Sequence, residues 1–343
     1  MKKSLGVLSI VLVVAFLFPL ASPSVDAAGE YRYYNQLDAN EKAIYDAICF
    51  AGVDDRTITV DLPAKMTIEY KNVDDYFNNY NEAMKLRVTF ALKLSEPLAY
   101  WTWEKNKIDF KAVYTKSGNI GTLSAITLKL ELGDAYADDP TTDYNELSAM
   151  ISTLEHEVNK FTPKSTDRRG IIKEINDYLT GLVTYDPNYG TDKESPFAHD
   201  AYGALASSNH YAVCDGYSKA FLLLCNKMNI PCMIDVGMSL PSLVNHAWNY
   251  VQMENEKWYA MDVTWNDGTN NGYFLAGAKT FFADHQSGTF YDIYMLTLPF
   301  HLPKVNADRY DPDPPSYEAY AMILAVAIAA IVLYTLYRST KKN

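Results

Sequence analysis

Cysteine is scarce in this chain of 343 residues: four are present, and no two stand in a Cys-x-x-Cys pair. With single Cys and His residues scattered along the sequence, the paired spacing of a zinc site is missing, so neither a metal nor another cofactor is expected. Basic residues are also in deficit, with 30 Lys and Arg against 42 Asp and Glu and a formal net charge of −12. A surface of that sign repels phosphate backbones, which argues against nucleic acid as a partner. There is no internal repeat, which excludes a solenoid or an array of small modules.

What is present is enough for a sizeable core: 48% of the residues are hydrophobic and 13% aromatic, sufficient for one large or two ordinary domains. The 27 tyrosines are notable. They carry no chemistry by themselves, because Tyr is common at sheet edges and in extracellular domains.

The two ends read as export and anchoring signals. Met1, Lys2 and Lys3 precede an apolar run over 5–20, and small residues including Val25 and Ala27 follow, so residues 1–27 are expected to be a signal peptide. Residues 320–337 form 18 uncharged, mostly apolar positions, about the minimum for a membrane-spanning helix. Acids precede that run and Arg338, Lys341 and Lys342 follow it, which places the tail 338–343 in the cytoplasm and the rest outside. Residues 304–319, with Pro312, Pro314 and Pro315, are expected to be an extended linker. Taking five bases and one acid away with the two ends leaves the exported part at a net charge of −16.

Between these ends the pattern divides at an acidic loop over 134–143, read as a solvated boundary and not as a calcium loop. Residues 28–143 are expected to be an N-terminal α/β domain: helical spacing over 41–49, then period-two alternation over 57–62, 107–114 and 123–132. Residues 144–303 form the second domain, opening with helical stretches over 145–161 and 168–183.

The chemistry concentrates in this second part. A strongly helical run over 218–228 follows Val213-Cys214-Asp215-Gly216-Tyr217, which puts Cys214 at a helix start. Unpaired N–H groups there favour a thiolate and can donate to an oxyanion. Downstream, 245–251 reads as a strand, Glu254-Asn255-Glu256 as a turn and 257–263 as the returning strand. A three-residue loop sets Met253 opposite Lys257 and Trp248 opposite Asp262, so His246 lies diagonal to Asp262 on the same face. An even-numbered loop would separate them. A thiol needs an imidazole to take its proton, and the imidazole needs a carboxylate to fix its tautomer, so Cys214, His246 and Asp262 are the catalytic candidates.

The remaining residues read more plainly. His156 falls on a helix, His199, His210 and His301 in loops and His285 after the core, all expected to be surface or hydrogen-bonded residues. Trp248, Trp258 and Trp265 are expected in the sheet core and the cleft rim. With Cys214 used in catalysis, at most one disulfide can form among Cys49, Cys225 and Cys232, and the last two are nearest in sequence.

The stretches Ala201-Tyr202-Gly203-Ala204-Leu205, Val213-Cys214-Asp215-Gly216-Tyr217, Asn229-Ile230-Pro231-Cys232, His246-Ala247-Trp248-Asn249 and Trp258-Tyr259-Ala260-Met261-Asp262-Val263-Thr264-Trp265, with Tyr273-Phe274-Leu275 after them, resemble the bacterial transglutaminase-like core in order and spacing. The resemblance spans 171–301, and more loosely the region before it, where Glu96-Pro97 and Trp101 match best. It implies an α+β, papain-like fold, with the nucleophile on a helix packed against an antiparallel sheet that carries the other two residues. It also implies Tyr202 as a second oxyanion donor. Where animal enzymes of the family have Gly-Gln before the cysteine, this chain has Ala212-Val213, which weakens the case for glutamine–lysine cross-linking. The expected function is that of a membrane-anchored, cell-surface thiol enzyme acting on protein or peptide amides through a Cys thioester, hydrolysis being favoured over transfer to an amine. The competing reading is a non-catalytic binding or scaffold module that retains the triad.

Overall fold

The computed structural model describes residues 26–51, 57–98, 108–131, 144–269, 272–288, 300–312 and 328. The chain divides into two compact units, Met1–Asp308 and Arg309–Asn343. The expected signal peptide lies almost wholly outside the described residues, and so does the expected transmembrane helix. Among the described residues, no helix is long and apolar enough to cross a membrane.

In the first unit, helix α1 (Ala39–Cys49) starts at Asp38, whose carboxylate accepts the Glu41 N–H while the Glu41 carboxylate accepts the Asp38 N–H. This reciprocal cap fixes the helix start. Strand β1 (Thr57–Glu69) follows, then α2 (Val73–Ser95) and the hairpin of β2 (Ile108–Ser117) and β3 (Ile120–Leu130). The hairpin turns through Gly118, whose φ of 60° suits glycine. The three strands pair antiparallel in the order β1-β3-β2.

The 23-residue helix α2 has no counterpart in the sequence reading. Its buried seam is Val73, Phe77, Asn81, Met84, Val88, Ala91 and Leu92. Asn81 interrupts the apolar stripe at its middle and hides the period, yet it belongs in the interior because its amide donates to the Phe110 carbonyl at 2.6 Å. The helix lies close on the sheet: a Cβ at Gly121 would come within 2.3 Å of Val73.

The remainder begins with α3 (Tyr144–Lys160), α4 (Arg168–Leu182), the short strand β4 (Thr184–Tyr185), α5 (Ala201–Leu205) and β5 (Tyr211–Ala212), which pairs parallel with β4. Then come α6 (Cys214–Lys227), β6 (Cys232–Ser239), β7 (Val244–Gln252), β8 (Trp258–Met261), the single-turn helices α7 (Val263–Asn266) and α8 (Ala278–Phe281), and β9 (His285–Ser287). The four strands make one antiparallel sheet ordered β8-β7-β6-β9. Every residue of α6 from Gly216 to Cys225 is buried, so this helix is the centre of the core and not its cover. Asn229, at φ 53°, turns the chain out of α6, and the Ile230 N–H closes the end on the Cys225 carbonyl at 2.9 Å.

The N-terminal elements pack into the same unit. Tyr33 is buried and donates its hydroxyl to the Ile234 carbonyl of β6 at 2.9 Å, and its ring packs edge-on against Phe300. A part-buried ion pair, Arg87 to Glu41 at 2.8 Å, joins α2 to α1.

Candidate active site

The first turn of α6 carries Cys214. Gly216 lets that turn sit against the preceding loop: a Cβ there would lie 2.4 Å from the Ala198 carbonyl oxygen. Only glycine permits that approach without moving the helix start, and the cysteine with it.

The β7–β8 hairpin has the register expected from the three-residue loop. Asn249 pairs with Met261, Tyr250 with Ala260, Val251 with Tyr259 and Gln252 with Trp258. The turn closes with the Met253 N–H on the Lys257 carbonyl at 3.0 Å, and Glu256 takes the left-handed conformation at φ 61°. One residue beyond the paired strand, Asp262 caps α7 by accepting the Trp265 N–H on Oδ1 at 3.0 Å. Its Oδ2 meets His246 Nε2 at 2.7 Å. With Nε2 so engaged, Nδ1 is the nitrogen left to act as a base. The His246 ring stacks on Trp265, with centroids 5.1 Å apart.

The backbone N–H groups of Ala247, the residue after His246, and of Asp215 are near enough to the Cys214 sulfur to favour its thiolate. The sequence places this thiol at a helix start, where its pKa should fall. In the structure it rises instead: burial pushes the thiol up to about 12, the Asp215 charge adds to the rise, and the two N–H donors offset only part of it. Desolvation of the sulfur outweighs the helix-end field here, which favours the thiol over the thiolate.

Asp262 is wholly buried. Burial pushes its carboxyl up, but the interaction with His246 and the hydrogen bonds from His246, His285 and Trp265 hold it below its usual range. His285 is the residue that sequence reasoning passed over. It too is fully buried, and its Nε2 lies 3.0 Å from Asp262 Oδ2, the same oxygen that His246 meets. His246, Asp262 and His285 bring three donor atoms within 4.8 Å of one another. The N···O separations of 2.7 and 3.0 Å are hydrogen-bond lengths. Two ligands of a tetrahedral metal at ordinary bond lengths would stand about 3.3 Å apart, so the trio fits a hydrogen-bonded cluster better than a metal cradle.

A cleft of about 400 Å³ opens beside His246, lined in part by Tyr185, Tyr189, Thr264, Trp265 and Asp267. Asp267 is oriented by the Tyr217 hydroxyl, which donates to it at 2.7 Å. Tyr202, the oxyanion candidate, lies on α5 with its ring against Phe197 at 5.1 Å, while the tyrosines on the cleft wall are Tyr185 and Tyr189. Trp248 and Trp258 are buried in the sheet core, and Trp265 lines the cleft.

A charged network backs the start of α6. His199 bridges Asp215 and Glu194, at 2.8 Å from each. The fully buried Lys219 donates to the His199 carbonyl at 2.5 Å and to Asp200 at 3.2 Å. For Asp215, burial pushes the carboxyl up, but the His199 hydrogen bond and the charges of Lys219 and His199 hold it down at about 2, against its usual 3.8. The Asp215 hydrogen bond raises His199 above its usual 6.5 against the opposing effect of burial.

Asp215 is depressed, so its stabilisation is complete above 3.8 and is lost as pH falls through about 2. His199 is raised, so its share is complete below 6.5 and is lost as pH rises through its elevated value. Between those limits both are in place. The His199→Ala variant is therefore expected to lower the free energy of urea unfolding most from about pH 4 to 6.5, by on the order of 1 kcal/mol given the partial exposure of the imidazole. A difference from wild type that does not vary with pH would show that the pair contributes nothing.

Residues 155–263 match the family model of the transglutaminase-like superfamily, and this segment is what the chain has in common with that superfamily. The segment contains Cys214, His246 and Asp262. No curated protein matches the chain. Among solved structures, a TGase is 14% identical, with 63% of this chain and 54% of that one covered and a TM-score of 0.32. A candidate cysteine protease from Cytophaga hutchinsonii is 15% identical, with 46% and 62% covered and a TM-score of 0.25. The ethylmercury-bound periplasmic domain of TgpA from Pseudomonas aeruginosa is 14% identical, with 47% and 66% covered and a TM-score of 0.19. The chain thus spans just over half of the first of these and less than two thirds of the second.

Proposed function

We propose that this chain is an exported, membrane-anchored cysteine enzyme that opens amide bonds of proteins or peptides at the cell surface. The observation that carries the reading is the 2.7 Å hydrogen bond from His246 Nε2 to a buried Asp262, with the N–H of the next residue, Ala247, near enough to the Cys214 sulfur to favour its thiolate. Asp262 holds His246 in the tautomer that leaves Nδ1 unprotonated. Nδ1 takes the thiol proton as the sulfur attacks the amide carbon, and it returns that proton to the departing amine. A thioester on Cys214 remains. Because burial disfavours a free thiolate, deprotonation and attack belong to one step, with the substrate supplying the closing of the site.

Hydrolysis of the thioester is favoured over transfer. Water reaches the open cleft without a dedicated site, and Ala212-Val213 replaces the Gly-Gln of the cross-linking animal enzymes. The apolar run over 320–337 and the basic tail supply the anchor and its orientation.

The test is a peptide library incubated with wild type and with Cys214→Ala, each with and without an added primary amine, and read by mass. Cleaved or deamidated peptides from wild type alone, in amounts that the amine leaves unchanged, are expected. Amine adducts would move the assignment to transfer. No difference between wild type and Cys214→Ala in any arm would end it.

A further inference from the structure

His285 has a hydrogen-bond acceptor at both ring nitrogens. Its Nε2 faces Asp262 Oδ2 at 3.0 Å, and its Nδ1 faces Asp284 Oδ1 at 2.7 Å and the Phe281 carbonyl at 3.1 Å. A neutral imidazole can donate from one nitrogen only, and the other would then point a lone pair from a fully buried ring at an oxygen lone pair. The ionised groups around the ring are Asp284 on its own turn and Asp262 at the end of β8, with His246 of β7 as the third titratable neighbour. Tyr273, whose hydroxyl donates to Asp284 Oδ2 at 2.7 Å, orients that carboxylate, and Phe281 stacks on the imidazole with centroids 3.9 Å apart, a contact that favours a cation.

We infer that His285 carries a proton on both nitrogens in the resting protein and is the fixed counter-ion of Asp262, so that His246 and Cys214 rest as a neutral imidazole and a thiol and not as an ion pair. The inference deepens the proposed amide chemistry and rests on it for its purpose. The reasoning is one of charge balance in a dry interior. Asp262 carries one negative charge, and an imidazolium at His285 neutralises it from one side. His246 then gains less by binding a second proton, keeps its Nδ1 lone pair and remains a base. Take the His285 charge away and Asp262 draws a proton onto His246. The resulting imidazolium stabilises the thiolate beside it. His285 thus acts through Asp262, as a positioning residue and not a catalytic one.

Two measurements on the full-length protein test this. The first reads the ring N–H signals of His285 in wild type by nitrogen-15 NMR. Protons bound to both nitrogens at pH 7 are expected, and a bare nitrogen would overturn the inference whatever the protein catalyses. The second follows alkylation of Cys214 by iodoacetamide from pH 5 to 9, read on the Cys214 peptide by mass.

His285→Gln keeps a donor for Asp262 but removes the charge. It is expected to raise the alkylation rate at pH 6 roughly tenfold and to move the rising limb of the profile to lower pH. Asp284→Asn weakens the hold on the Nδ1 proton and should move the limb the same way by less, which covers the case in which the glutamine variant fails to fold. A purely structural role would change the rate by the same factor at every pH, and profiles parallel to wild type in both variants would overturn the inference. If His285 proves doubly protonated while peptide turnover is absent, the proposed function fails and this assignment stands.

Discussion

Asp262→Asn is expected to reduce peptide turnover by about 10⁴-fold, on the scale seen when a triad carboxylate becomes an amide. The carboxylate has three partners: His246 and His285 on Oδ2 and the Trp265 N–H on Oδ1. An asparagine has one acceptor oxygen for all of them. If its oxygen caps α7, its NH₂ faces the two rings and forces the His246 proton onto Nδ1, the nitrogen that must act as a base. If instead the oxygen faces the rings, the NH₂ confronts the Trp265 N–H and the cap is lost. Either arrangement also leaves His285 with Asp284 as its remaining carboxylate partner. The measurement is kcat/KM on whichever library peptide wild type cleaves, with Cys214→Ala as background and thermal unfolding as the check on folding. An asparagine variant within tenfold of wild type would show that the carboxylate is structural.

The largest effect on folding is expected at Lys219. Its ammonium is fully buried within α6, 3.2 Å from Asp200 and 3.9 Å from Asp215, and it donates to the His199 carbonyl. Asp200 precedes α5 without capping it, because its carboxylate is turned toward Lys219. Lys219→Met keeps the apolar stem and removes the charge that Asp200 was buried against, at a cost of about 3–5 kcal/mol in urea unfolding. The double variant Asp200→Asn/Lys219→Met is expected to recover more than half of that loss, since it removes the orphaned charge as well. A single variant that loses less than 1 kcal/mol, or a double variant that recovers nothing, would show that the ion pair does not hold the α5 segment to α6.

How much of this was legible before folding depends on the range of the interaction that decides each feature. Short-range features were legible. The start of α6 at Cys214 follows from the apolar helical run behind it, and the pairing of His246 with Asp262 follows from counting a three-residue loop, because side chains in a strand alternate with period two. The stretch 73–95 was not legible as a helix, although its spacing is local. Its central seam position is Asn81, whose suitability for the interior depends on a carbonyl 29 residues further along.

Long-range features were decided by tertiary structure alone. Nothing near His285 in the chain tells it apart from the other five histidines; its place on Asp262 arises because β9 pairs with β6 and returns the ring beneath the hairpin. Cys214 behaves likewise. Local sequence puts it at the positive end of a helix and implies a lowered pKa, while partial burial against neighbours moves it the other way. The amino-acid sequence by itself thus determined which residues are candidates for the chemistry and how the hairpin brings two of them together, since backbone period and turn length are local. Which other groups share that buried volume, and what charge each bears, was decided only by packing, because desolvation and proton sharing depend on neighbours that the chain supplies from far away.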